Sequence, residues 1–167
     1  MTTLFLLLKM LLKNIKPIFE PIFFMLFIFS VFACNKKEKV NQAEVDEKII
    51  SDYIISNKLD AKPTGSGLYY LIENQGTGIH PDLASSVTVK YKGYLVDGTV
   101  FDQTTNTGAT FGLSKVIKGW QEGIPLFKRG GKGKLFVPSA LGYGTQALNK
   151  IPANSVLIFD IELLEVR

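Results

Sequence analysis

All fifteen glycines of this chain lie between Gly65 and Gly144. Glycine takes turn conformations that other residues avoid. Tight turns, and the short elements they join, are therefore concentrated in that stretch. What precedes it divides in two. Residues 1–33 are apolar and hold seven of the twelve phenylalanines, whereas residues 35–62 are polar and carry many charges. The chain reads as a leader, a spacer and a globular part. Beyond the leader 134 residues remain, enough to bury a real core, unlike a chain below about 40. The single cysteine, Cys34, excludes an internal disulfide framework and any CxxC metal or redox site. The single histidine, His80, leaves little room for zinc-hydrolase or Ser-His-Asp chemistry. The net charge is +4, and without the leader 16 basic residues face 14 acidic ones, a net of +2. That is too small to point to a nucleic-acid partner.

The leader has the layout of a signal peptide. Lys13 and Lys16 precede an apolar run from Pro21 to Ala33, which ends Val31-Phe32-Ala33-Cys34 and turns polar at Asn35-Lys36-Lys37. This junction resembles a bacterial lipoprotein signal, in which the cysteine becomes the lipidated N-terminus. The alternative is an uncleaved transmembrane anchor. Only 15 uncharged residues separate Glu20 from Lys36, and a span needs about 20. Thirty-three residues is long for such a leader, and a start at Met10 leaves 24.

In the spacer, Asn41-Gln-Ala-Glu44 has the spacing of a capping box. Val45, Ile49 and Tyr53 follow at intervals of four, with Ile50 and Ile54 beside them. This stripe predicts a helix from about Asn41 to Asn57. The helix can dock on the globular part, pair with a second copy to form an oligomer, or hold the domain off a membrane. Lys62 to Gly67 reads as a linker.

From Leu68 the pattern is β. Val87, Val89 and Tyr91 alternate with Thr88, Lys90 and Lys92, the period of a half-buried strand. Asp97-Gly98 marks a hairpin turn that pairs Ser86–Val96 with Thr99–Asp102. Thr110–Leu113 and Lys134–Val137 read as short strands and Val156–Val166 as a long one. One helical stretch stands out, Trp120 to Phe127, with Trp120, Ile124 and Phe127 on one face. The fold class is α+β: an antiparallel sheet with a short helix on one face. The basic run Lys128-Arg129-Gly-Gly-Lys132-Gly-Lys134 fits a solvated turn. Attraction to anionic lipid or RNA is the alternative.

Five segments then become specific in combination. They are Val87-Thr-Val-Lys-Tyr91-Lys-Gly93, Asp97-Gly98-Thr-Val-Phe101-Asp102, Val116-Ile117-Lys-Gly119-Trp120, Pro138-Ser-Ala-Leu-Gly-Tyr143-Gly144, and Ile151-Pro152 through Phe159-Asp160-Ile-Glu162. In this order and spacing they resemble the FKBP family of peptidyl-prolyl cis–trans isomerases, in its bacterial envelope lipoprotein form. The resemblance implies a five-to-six-stranded antiparallel sheet wrapped around one short helix, with an N-terminal helical spacer. It divides the chain into a signal peptide (1–33) ahead of lipidated Cys34, a spacer and linker (34–64), and the isomerase domain (65–167).

The reaction it implies is rotation about an Xaa–Pro bond in polypeptides, with no cofactor and no metal. Twisting the amide abolishes its resonance and makes it less dipolar, so an apolar, water-poor pocket favours the twisted form. By resemblance Trp120 forms the pocket floor under the proline ring. Phe101, Phe111, Val116, Ile117 and Phe159 form walls, with the Ile117 N–H holding a substrate carbonyl. Ile151 overhangs the site. Tyr91, Asp102 and Tyr143 supply its polar, catalytic groups. Without the motif, Trp120 and Phe159 read equally as plain core, and Asp102 as a turn residue. Ala109 stands where many members have an aromatic, and the loop 145–150 is short. Rapamycin-type macrolides are the implied inhibitors. The implied location is the bacterial envelope, lipid-anchored and facing the periplasm or cell surface. The competing function is a module that binds proline segments with little turnover.

Overall fold

A computed structural model describes residues 41–167. The leader, Cys34 and the start of the spacer lie outside the described residues. The order of elements is α1 (Gln42–Ser56), β1 (Lys62–Pro63), β2 (Tyr69–Asn74), β3 (Ser86–Leu95), β4 (Val100–Gln103), β5 (Ala109–Gly112), α2 (Lys118–Gly123), β6 (Lys132–Val137) and β7 (Leu157–Val166). Short 3-10 turns follow β5, α2 and β6. The seven strands form one sheet in the order β1-β2-β6-β7-β3-β4, and β5 also pairs with β3. Every pairing is antiparallel. The long strand β3 lies along β7 on one edge. Its other edge is shared, Ser86–Val89 by β5 and Lys92–Tyr94 by β4.

Alternation along the central strands sets the two faces of the sheet. Val87, Val89, Leu135, Val137, Leu157, Phe159, Ile161 and Leu163 are buried on the inner face with Trp120, Ile124 and Phe127. The helix lies close against β6 because two of its residues lack a Cβ. A Cβ on Gly119 would sit 2.5 Å from Val137 Cγ1, and one on Gly123 would sit 2.6 Å from Leu135 Cδ1. The α-helix ends at Gly123, four residues short of expectation, and a 3-10 turn over Ile124–Leu126 continues it. Pro125 is the reason: it has no N–H to donate to the Gln121 carbonyl.

The outer face is half apolar and half charged. Tyr69, Leu71, Tyr94, Phe136 and Ile158 form the apolar half, and Ile50 of α1 docks there with 1% of its surface exposed. Burying an isoleucine of that size contributes about 1.5–3 kcal/mol. The Tyr69 hydroxyl adds a hydrogen bond to Glu47. The helix assigned to the spacer thus packs into the same compact unit as the sheet, with Ile49, Ile50, Tyr53 and Ile54 of the expected stripe against it; the stripe departs from expectation at its start. Val45 is 37% exposed, while Asp46 and Ile50 are buried. Asn41 caps the helix by accepting from the Ala43 N–H, and the box closes side chain to side chain, Asn41 Nδ2 donating to Glu44 Oε1 at 2.8 Å. On the charged half, Lys132 pairs with Glu162 at 3.0 Å and Lys134 with Asp160 at 2.5 Å across strands. The basic run therefore spends two of its lysines on cross-strand partners.

Two features differ from expectation. The presumed linker holds the two-residue strand β1, whereas the β pattern expected from Leu68 starts with strand β2 as read. The sheet has seven strands instead of five to six.

Candidate active site

The open end of the inner face carries a pocket of about 700 Å³. It is lined by all ten residues expected at the site: Tyr91, Phe101, Asp102, Phe111, Val116, Ile117, Trp120, Tyr143, Ile151 and Phe159. They come from separate elements. β3 contributes Tyr91, β4 contributes Phe101 and Asp102, β5 contributes Phe111, and β7 contributes Phe159. Val116 and Ile117 lead into α2, which carries Trp120, and the 143–151 loop brings Tyr143 and Ile151.

Five aromatic rings meet edge to face. Trp120 lies 4.9 Å from Tyr91 at 88°, 5.7 Å from Phe111 at 89° and 5.3 Å from Phe159 at 78°. Phe101 meets Phe159 at 5.6 Å and 84°. This is the arrangement that ring quadrupoles favour. Gly93 makes room for it, since a Cβ there would fall 2.6 Å from the Phe101 ring. Trp120 is only 4% exposed, and its indole N–H is the one buried side-chain polar atom among the described residues without a hydrogen-bond partner. Trp120 belongs to the core cluster and borders the pocket at the same time.

The polar groups collect at the pocket edge. The Tyr91 hydroxyl donates to Asp102 Oδ2 at 2.5 Å. Burial, then this bond, push the Tyr91 phenol well above its ordinary pKa. Burial, then the Asp102 charge, raise Tyr143 as well. Both hydroxyls therefore stay protonated, as donors, throughout the neutral range. Ile117 caps α2: its carbonyl accepts from Trp120 N–H at 2.9 Å and from Gln121 N–H at 3.1 Å, which leaves its own N–H outside the helical ladder.

A model of the FKBP-type peptidyl-prolyl cis–trans isomerases matches residues 78–164. The chain belongs to the FKBP family. A protein named FKBP-type peptidyl-prolyl cis-trans isomerase FkpA, from Aeromonas hydrophila, is 44% identical over 136 residues, covering 79% of this chain and 51% of that protein. The outer membrane protein MIP of Legionella longbeachae is 41% identical, covering 80% and 57%. This chain spans about half the length of these relatives. Among solved structures, Escherichia coli FkpA matches with a TM-score of 0.67 at 40% identity, covering 75% of this chain and 61% of that one. A Pseudomonas syringae pv. tomato isomerase matches at 0.64 and 33% identity, covering 74% and 95%.

The FKBP pocket has four further lining residues that sequence reasoning missed: Lys115, Leu148, Asn149 and Lys150. Three belong to the overhanging loop, where no periodicity exists to read. The loop folds back on itself through Leu148 and Ile151, whose backbones exchange hydrogen bonds of 2.8 and 3.0 Å. Gln121 was also missed. Its side-chain amide donates to the Val116 carbonyl at 2.8 Å and fastens the segment that presents Val116 and Ile117. His80 does not line the pocket; its Nδ1 donates to the Pro125 carbonyl at 2.8 Å.

Proposed function

We propose that this chain catalyses cis–trans isomerisation of Xaa–Pro bonds in polypeptides of the bacterial envelope and so assists their folding. The observation that carries the reading is the aromatic pocket with Tyr91, Asp102 and Tyr143 at its edge. The barrier to be lowered is about 18–20 kcal/mol, and no covalent bond has to break. The proline ring packs on Trp120 between Phe101, Phe111, Val116 and Phe159. There the amide loses water and its dipolar, planar form loses solvation. The Tyr143 hydroxyl and the Ile117 N–H donate to carbonyls on either side of the twisting bond, and Ile151 closes over it. Asp102 holds Tyr91 and orients the substrate. Each roughly 1.4 kcal/mol gained in the twisted state is a tenfold rate, so a few such contacts suffice without His, Cys or metal. A rapamycin-type macrolide is expected to compete for the same pocket.

Refolding of a polypeptide whose slow phase is limited by proline, about 10–100 s at 25 °C, tests the reading. The slow phase is expected to quicken in proportion to added protein. Binding of the unfolded chain without quickening favours a proline-segment binding module instead.

The envelope location rests on two supports. One is the lipoprotein-like junction at Ala33-Cys34. The other is the similarity to a protein named as an outer membrane protein. Labelled palmitate is expected to enter the full chain and to be lost in Cys34→Ser; incorporation that survives the substitution contradicts the anchor.

A further inference from the structure

The family match begins at residue 78, yet the helix that precedes it is tied to the turn that leads to Tyr143. Asp46 of α1 is 1% exposed. Its Oδ2 accepts from the Ser139 N–H at 2.8 Å and from the Ser139 hydroxyl at 2.6 Å, across 93 residues of sequence. Its Oδ1 accepts from Gln42 Nε2 at 2.7 Å. No cation pairs with it among the described residues. A buried carboxylate without a cation is costly unless donors satisfy it, and here three donors do. Two of them belong to a single residue, Ser139, which starts the 3-10 turn leading to Tyr143. The Ser139 carbonyl in turn accepts from Gly142 N–H at 3.0 Å and from Gly144 N–H at 2.8 Å. The two residues flanking Tyr143 are thus both tied to Ser139, and Ser139 is tied to Asp46. Beyond Tyr143 the chain is otherwise exposed from Thr145 to Lys150.

We propose that Asp46 is a positioning residue for Tyr143: the helix before the family domain sets the placement of the hydroxyl at the pocket edge. The role of that hydroxyl rests on the isomerase reading above, whereas the mechanical link from Asp46 to Gly142–Gly144 does not. The link requires an acceptor and no charge. Asparagine supplies one, because its carbonyl can take both Ser139 donors and its amino group can face the Gln42 amide oxygen once that group turns.

The test uses the full chain with Asp46→Ala and Asp46→Asn, read by amide exchange and by peptide kinetics. In Asp46→Ala the Gly142 and Gly144 amides are expected to exchange at least about tenfold faster, because the buried Ser139 donors lose their acceptor, while the β3 and β7 amides hold. The same variant is expected to lower kcat about tenfold with KM changed less than about twofold. Asp46→Asn is expected to restore both. Unchanged Gly142 and Gly144 exchange in Asp46→Ala overturns the proposal. So does a uniform rise in exchange over the sheet, with no rescue by asparagine, because Asp46 then only stabilises the fold. A wild-type chain without turnover refutes the isomerase reading, and the exchange data still decide the link.

Discussion

Asp102→Ala is expected to lower kcat roughly tenfold while leaving peptide affinity within about threefold. The carboxylate accepts the Tyr91 hydroxyl, and Tyr91 packs edge-on against Trp120. A hydrogen bond to a charged group contributes about 1.5–3 kcal/mol, and about 1.36 kcal/mol corresponds to one decade of rate. Asp102 is exposed at the pocket edge, which places the effect at the lower end of that range. Affinity comes mainly from the aromatic walls, which the substitution leaves in place. Peptide titration beside steady-state kinetics checks the split. Equal losses in affinity and kcat would remove Asp102 from the catalytic set and leave it as part of the binding surface.

Trp120→Ala is expected to have the largest effect on stability, about 3 kcal/mol. Large-to-small substitutions of buried aromatics cost about 3–5 kcal/mol, and Trp120 touches Tyr91, Phe111 and Phe159 at once. The estimate falls at the lower end because the new space opens into an existing pocket, where water can enter. Against a total stability of about 5–15 kcal/mol for a domain, the loss should lower the urea midpoint by a large fraction. Trp120→Phe keeps the edge-to-face contacts and should cost less than half as much. A loss below about 1 kcal/mol for the alanine variant would mean that the aromatic cluster closes up without its central ring.

How much of this was legible in the sequence depended on which faces of the sheet are solvated. β3 was read correctly because Lys90 and Lys92 alternate with Val89 and Tyr91 on a strand with one polar face. β2, where the β pattern begins, carries no such alternation. Tyr70 and Ile72 pack into the inner core while Tyr69 and Leu71 pack under α1, so both faces are covered and the run is continuously apolar. The docked helix that hides β2 is itself what the reading left open among docking, pairing and spacing. Its stripe showed that it buries a face, but the acceptor of that face, Phe136 and Ile158, lies far along the chain. Asp46 could not be found at all. A polar residue beside an apolar stripe reads as solvated, and its partner Ser139 is 93 residues away. FKBP-like motifs fix residue identities in order, and the pocket gathers all ten of the residues so marked. The residues missed there, Lys115 and Leu148 to Lys150, sit where the chain carries no periodic pattern.

The central claim is that this pocket turns over Xaa–Pro bonds. The most direct measurement is the cis-to-trans relaxation of a short Xaa–Pro peptide, followed without a coupling protease as protein is added. The account predicts a relaxation rate that rises in proportion to protein concentration and falls back toward the uncatalysed rate, a time of about tens to hundreds of seconds, in Tyr143→Phe/Asp102→Ala. A folded protein that leaves the relaxation at the uncatalysed rate contradicts it.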